Sequence, residues 1–251
     1  MVAAAWLAAA LAAAPDGAAS AYEGLAYARR GDVLLYREQH YLYDGGATRL
    51  VVYRCADGAA FARKRVNATA SPTAPDFELV DARLPYREGA TRAGAGREVF
   101  VEWRGKRAAT RVAEPADGVV DAGFDRYLRE HWDALVGGAL PTIPFLVPSE
   151  QRFLPFRVRL LGQDAARGET RFRLTLSAWY GFLAPSMDVT YDTATRQLRH
   201  YTGLTPIRDA DGDNLDVRIA FPADRVRRDV AASEIDAALA EPLTGRCDLR
   251  Q

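Results

Sequence analysis

The chain has 251 residues, 33 basic and 33 acidic, 49% of them hydrophobic and 26% charged. This composition excludes a disordered chain and supplies ample core for one domain. The balanced charge removes any electrostatic case for nucleic acid or an anionic membrane as partner. Only Lys64 and Lys106 are lysines; every other basic residue is arginine.

The amino terminus opens with MVAAAWLAAALAAAP, an uncharged apolar run too short to span a bilayer comfortably. Ala19-Ser20-Ala21 follows and supplies the small residues a signal peptidase accepts. The expectation is a signal peptide over 1–21, cleaved before Tyr22, and a single β-rich domain over 22–251. The competing reading of the run is a buried alanine-rich helix. No later segment approaches the ~20 apolar residues of a membrane helix. The mature chain is therefore expected in the periplasm as a soluble monomer, at most peripheral to a membrane.

From Tyr22 the chain reads as short strands joined by turns. Gly31-Asp32 separates the first strand from VLLYREQHYLY, Asp44-Gly45-Gly46 is a hairpin signal before TRLVVYRC, and Asp57-Gly58 turns into AAFARKRV. Such short connections demand antiparallel neighbours. After a polar loop from Asn67 to Pro75 come FELVDARL, REVFVEW and AATRVAEP, the last reached through Gly105-Lys106.

One helix interrupts the strands. Phe124, Leu128, Trp132 and Leu135 recur at spacings of three and four, with Tyr127 and His131 beside them, so one stripe can be buried. Asp121 or Asp125 can cap its first turn, and Gly137-Gly138 can end it. Pro141, Pro144 and Pro148 make ALPTIPFLVP an extended connector. Beyond it, alternation becomes cleaner: Phe172, Leu174, Leu176 and Ala178 share a face, as do Met187, Val189 and Tyr191, and then Leu215, Val217, Ile219 and Phe221. A short helix begins at Ser233, with Asp236 completing a capping-box-like pair, and runs to about Ala240.

The expected architecture is therefore mainly β: a curled antiparallel meander of ten or so strands, forming a half-barrel around the central helix. YREQHYLY, YRCADGAAFARKRV, GFDRYLREHWDAL and FLVPSEQRFLPFRVRL together resemble an uncharacterised group of exported bacterial proteins, which implies an envelope location and no particular activity. At the level of architecture alone, the meander with a helix inside is similar to the half-barrels of the lipoprotein carriers LolA and LolB.

Several residues carry candidate chemistry. Cys55 and Cys247 fit an oxidising compartment and either pair or remain separate thiols. Glu38 and His40 share a strand face with Tyr36 and could act as acid and base, or form a solvated face. Asp209, Asp211 and Asp213 could offer oxygens to calcium, but the spacing leaves Ile207 and Arg218 where an EF-hand needs carboxylates, and a hairpin turn explains the same residues. Arg157, Arg159, Arg171, Arg173, Arg199 and Arg218 could line an anion-attracting outer face or pair with Asp188, Asp216 and Glu169. No motif calls for a cofactor or a resident metal.

Three functions follow from this reading. The first is non-enzymatic binding or carriage of an apolar, lipid-like envelope ligand, with Phe124, Leu128, Trp132 and Phe145 lining its site. The second is an envelope scaffold with a solid core, and the third a hydrolase-type enzyme using the Glu38/His40 face.

Overall fold

A computed structural model describes residues 18–177 and 186–249. The apolar run at the amino terminus and Ala178 lie outside the described residues. The first eight strands form one long meander: β1 (Ser20–Ala28), β2 (Leu34–Tyr43), β3 (Thr48–Cys55), β4 (Ala60–Asn67), β5 (Asp76–Asp81), β6 (Tyr86–Ala93), β7 (Gly96–Trp103) and β8 (Lys106–Ala113). Helices α1 (Gly123–Glu130) and α2 (Trp132–Val136) follow. The chain then adds β9 (Thr142–Val147), β10 (Arg152–Asp164), β11 (Glu169–Leu176), β12 (Met187–Asp192), β13 (Leu198–Arg208) and β14 (Asn214–Ala220). A two-residue β15 (Arg227–Arg228) and helix α3 (Ala232–Ala240) complete the elements.

All fifteen strands of the described residues belong to one sheet, ordered β8-β7-β6-β5-β4-β3-β2-β1-β14-β13-β12-β11-β10-β9, with β15 on the end of β1. The ladders are antiparallel throughout, as two- and three-residue turns require. The two meanders join where Leu25 to Ala28 of β1 face Ala220 to Val217 of β14. The sheet is curled but not closed. Its edges β8 and β9 approach each other, and the segment between β8 and α1 reaches β9 through a parallel bridge from Val119 to Phe145.

The curled mainly-β architecture expected from sequence is present, with three differences of detail. The helix over 123–136 breaks at His131, whose backbone leaves the helical region (φ −101°, ψ 15°), into the two short helices α1 and α2. Neither Asp121 nor Asp125 caps it, nor does a side chain cap α3, which starts one residue early at Ala232. ALPTIPFLVP is extended but is no free connector, because Thr142–Val147 pairs with β10 and sets Pro144 opposite Pro155. Proline lacks an amide donor, and β9 tolerates it as an edge strand.

The interior is filled from two sides. One cluster gathers Tyr36, Tyr53, Ala62, Leu79, Tyr86 and Val217 from β2 to β6 and β14. The other gathers Leu128, Trp132 and Leu135 of the helices against Val158, Phe172 and Tyr191 of β10 to β12. The start of α1 fits against the loop between β4 and β5 because residue 123 is glycine: a Cβ there would lie 1.9 Å from the Thr73 carbonyl oxygen. Outside the curl, Ile235 and Ala238 of α3 cover Tyr41, Leu50 and Val52. The tail beyond α3 is tied back to β3 by a disulfide between Cys55 and Cys247, with Cα atoms 5.6 Å apart.

The expected cleavage point before Tyr22 falls inside β1, where Ser20 pairs with Leu42 and Ala21 with Tyr41. No helix among the described residues is long and apolar enough to cross a membrane.

Candidate functional site

The two interior clusters do not meet everywhere. Between them lies a cavity of about 540 Å³, bordered on one side by β1 to β6, on another by α1, and on a third by β9 to β14. Tyr201 packs against both clusters and lines the cavity. Small-molecule sites occupy ~300–1,000 Å³ with mostly apolar walls and a few placed polar groups.

Strand register explains the wall. Residues directly opposite in an antiparallel pair share a face. His40 faces Tyr22 on β1 and Val51 on β3, and the same row continues through Lys64, Leu79 and Glu88. One step along, Leu42 faces Arg49, and that row continues to Val66, Phe77 and Ala90. The inward face of β2 to β6 thus carries Glu38, His40, Arg49, Lys64 and Glu88 among apolar neighbours. The opposing wall is aromatic and aliphatic, with Phe145, Phe156, Met187, Leu198, Ile219 and Phe221.

Most of the inward charges have partners. The Lys64 ammonium donates to both carboxylate oxygens of Asp121, at 2.8 and 2.9 Å, which anchors the start of α1 to β4. On α1, Asp125 accepts from the Tyr191 hydroxyl at 3.0 Å and pairs with Arg129. Glu88 accepts from the Tyr86 hydroxyl at 2.6 Å, and Arg208 donates to the same hydroxyl at 3.0 Å. Burial raises the Glu88 carboxyl above its ordinary pKa, and the Tyr86 bond and Arg208 oppose that shift.

Glu38 and His40 do meet inside the curl, with His40 Nε2 3.0 Å from Glu38 Oε2. They are only 6% and 7% exposed, so the solvated-face alternative is excluded. Tyr36, on the same face, donates to Thr205 Oγ1 at 3.3 Å. The His40 ring stacks on Tyr22 with centroids 4.4 Å apart and meets Phe221 edge-on. Burial lowers its pKa, against the pull of Glu38, so the ring is neutral at pH 7. Its Nδ1 is buried with no hydrogen-bond partner among the described residues.

Arg49 differs from the other cavity cations. It makes no hydrogen bond or ion pair with any described residue, although it is half-buried on the cavity wall. The nearby Tyr22 phenol, followed by Asp125 and Asp121, raises its pKa against the opposing effect of burial.

Phe124 and Phe145, expected as lining, border the cavity. Leu128 and Trp132 do not. The helical stripe that buries them turns into the solid cluster, where Trp132 meets Phe172 and Tyr191 edge-on at 5.2 and 5.6 Å. The acidic hairpin at Asp209 to Asp213 lies at the β13–β14 turn. There Asp209 Oδ1 accepts from the amides of Asp211, Gly212 and Asp213 at 3.0, 3.0 and 2.9 Å, so it shapes the turn. Among the described residues no cluster of His, Cys, Asp or Glu is arranged for a metal. Of those arginines, Arg173 is held by Asp188, as the pairing alternative has it, Arg218 on the outer surface by Asp32, and Arg199, which borders the cavity instead, by Asp192. Sequence reading missed Arg49, Lys64, Glu88 and Asp121. For the first two a signal existed: each occupies the apolar half of a period-two alternation, Arg49 with Val51 and Tyr53, Lys64 with Ala62 and Val66.

No family model matches the chain, and no curated protein matches it. Among solved structures it is similar to a β-barrel-like protein of domain of unknown function DUF1849 from Brucella abortus. That likeness has 10% identity and a TM-score of 0.49, over 84% of this chain and 97% of the other. At this distance it says nothing about what either chain binds.

Proposed function

We propose that the protein is a non-enzymatic binder of one apolar, lipid-like molecule, held in the cavity and carried in the cell envelope. The observation that carries this reading is the cavity itself: about 540 Å³ of interior left between two solid clusters, walled largely by aromatic and aliphatic side chains. A scaffold has no use for such a space, since apolar packing normally fills it. Each methylene transferred from water into this wall contributes ~0.8 kcal/mol. The disulfide agrees with an oxidising compartment. The expected export, the periplasmic location and the resemblance to half-barrel lipoprotein carriers belong to the same proposal.

Native mass spectrometry of the protein purified from a bacterial envelope, with lipid extraction, tests it. The expected result is a stoichiometric apolar ligand, bound less tightly when Phe145→Trp and Phe156→Trp together narrow the cavity. A clean unliganded mass, unchanged after incubation with envelope lipids, overturns it.

The Glu38–His40 pair supports a second reading. A neutral imidazole bonded to a carboxylate on a cavity wall has the makings of a general base. Hydrolysis of ester substrates by the native chain, abolished by His40→Gln, is the result that would favour it.

A further inference from the structure

Of the cations that line the cavity, Arg129 is paired with Asp125 and Arg199 with Asp192, and Arg208 is spent on the Gly212 carbonyl and the Tyr86 hydroxyl. The Lys64 ammonium behind the wall is bound by Asp121. Arg49 alone among them has neither a carboxylate within ion-pair distance nor a hydrogen bond from the described residues. A guanidinium withdrawn from bulk water is costly unless something accepts its hydrogen bonds. Its planar fork fits a carboxylate with two parallel bonds.

We propose that the cavity's ligand is a long-chain carboxylate, its head on the Arg49 guanidinium and its chain along the wall of Phe145, Phe156, Met187 and Phe221. This rests on the apolar-binding reading above and adds the head group to it. The surroundings select a single negative charge. Asp121 and Asp125 act on the same guanidinium, so the second charge of a phosphate monoester would be repelled. Glu38 lies four residues along β2 from Leu42, the partner of Arg49, which is roughly 13 Å at ~3.3 Å per residue. Glu38 is therefore set back along the wall from Arg49, and the carboxylates that act on the guanidinium are Asp125 and Asp121. Tyr22, stacked on the His40 ring, also lines the cavity and acts on the Arg49 guanidinium.

The test compares dodecanoate, dodecanol and dodecyl phosphate by isothermal titration calorimetry, on the native chain and on Arg49→Gln and Arg49→Lys. Dodecanoate is expected to bind at least tenfold tighter than dodecanol and tighter than dodecyl phosphate. Arg49→Gln removes the preference for the acid, bringing dodecanoate to the affinity of dodecanol, with a far-UV circular dichroism spectrum like the native chain's showing that the variant is folded, and Arg49→Lys keeps part of the preference. Equal affinity for acid and alcohol overturns the head-group assignment and leaves apolar binding standing. Tighter binding of the phosphate overturns the single-charge assignment. Failure of all three probes to bind overturns the apolar-binding reading as well.

Discussion

The two halves of the sheet treat their inward faces differently. On β9 to β12 that face is apolar, and α1 and α2 press against it: Phe172, Leu174, Val189 and Trp132 are each at most 4% exposed. On β2 to β6 it is interrupted by Glu38, His40, Arg49, Lys64 and Glu88, and none of the described helices lies flat on it. An apolar stripe and an apolar face close on each other, whereas charged groups need partners at fixed distances and hold the opposing wall away. The cavity is the consequence of setting these two faces opposite each other, and it persists because the polar side is tied by specific bonds.

Perturbing one half at a time should separate stability from binding. The largest effect is expected at the disulfide, which belongs to the polar half. The Cys55–Cys247 link spans 192 residues of sequence, and the chain-entropy model gives a nominal stabilisation of about 5 kcal/mol; urea unfolding with and without reductant measures it. Next is Trp132→Ala in the apolar half, expected to cost about 4 kcal/mol through the cavity it opens against Phe172 and Tyr191. The folded fraction should retain its ligand affinity, because Trp132 does not face the cavity; a matching loss of affinity would erase the distinction between the halves.

Lys64→Met should cost about 3 kcal/mol by leaving Asp121 without its buried counter-ion. Adding Asp121→Leu should recover part of that loss, and a double-mutant cycle in thermal unfolding reads the coupling. Phe145→Ala is expected to cost about 1–2 kcal/mol, less than a fully packed phenylalanine, and to weaken an apolar ligand measurably.

The smallest expected effect is the pH response of His40. Its folded pKa is lowered, mainly by burial and further by Arg49 and Lys64, with Glu38 opposing. The unfolded chain therefore binds the proton first. The contribution to stability is fully present above the unfolded value of about 6.5 and is lost as pH falls below it, levelling off beneath the folded pKa. Urea midpoints from pH 8 to 5 should fall less steeply in His40→Gln than in the native chain, and parallel curves would show that His40 stays paired and unchanged in charge.

How much of this was legible in the residues differs between the halves. The period-two runs around Phe172, Val189 and Val217 declared a core face because every inward residue is apolar, and the hairpin turns dictated antiparallel order. In the helix, the spacing of Leu128, Trp132 and Leu135 revealed burial but not which neighbour would receive it. The same stripe serves a solid core or a cavity wall, and only tertiary placement decides. Arg49 and Lys64 drew no expectation, because a basic residue in a strand ordinarily points outward. Their apolar neighbours at alternate positions were the contrary signal. Strand β9 escaped notice because Pro144 within it, and Pro141 and Pro148 on either side, argue against pairing, and Pro144 is tolerated because the strand is an edge, a position that sequence does not announce. Asp121 took its role from a partner 57 residues away, which no local pattern encodes.

The unclosed seam between β8 and β9 has a mechanical consequence. Neighbouring strands elsewhere in the two meanders are joined by ladders along much of their length. Across the seam, the described bonds are the Val119 amide to the Pro144 carbonyl, the Leu146 amide to the Val119 carbonyl, and the Thr110 hydroxyl to Gln151, at 2.8, 2.9 and 3.0 Å. Phe145, which lines the cavity, sits between the two backbone bonds of this clasp. Widening the hoop there breaks three bonds instead of a ladder, so the wall is most compliant along the line where it also borders the stored volume. Amide exchange at Val119 and Leu146 should therefore outpace that of the central ladders, and a ligand that wedges against Phe145 would change the circumference of the molecule as well as fill it.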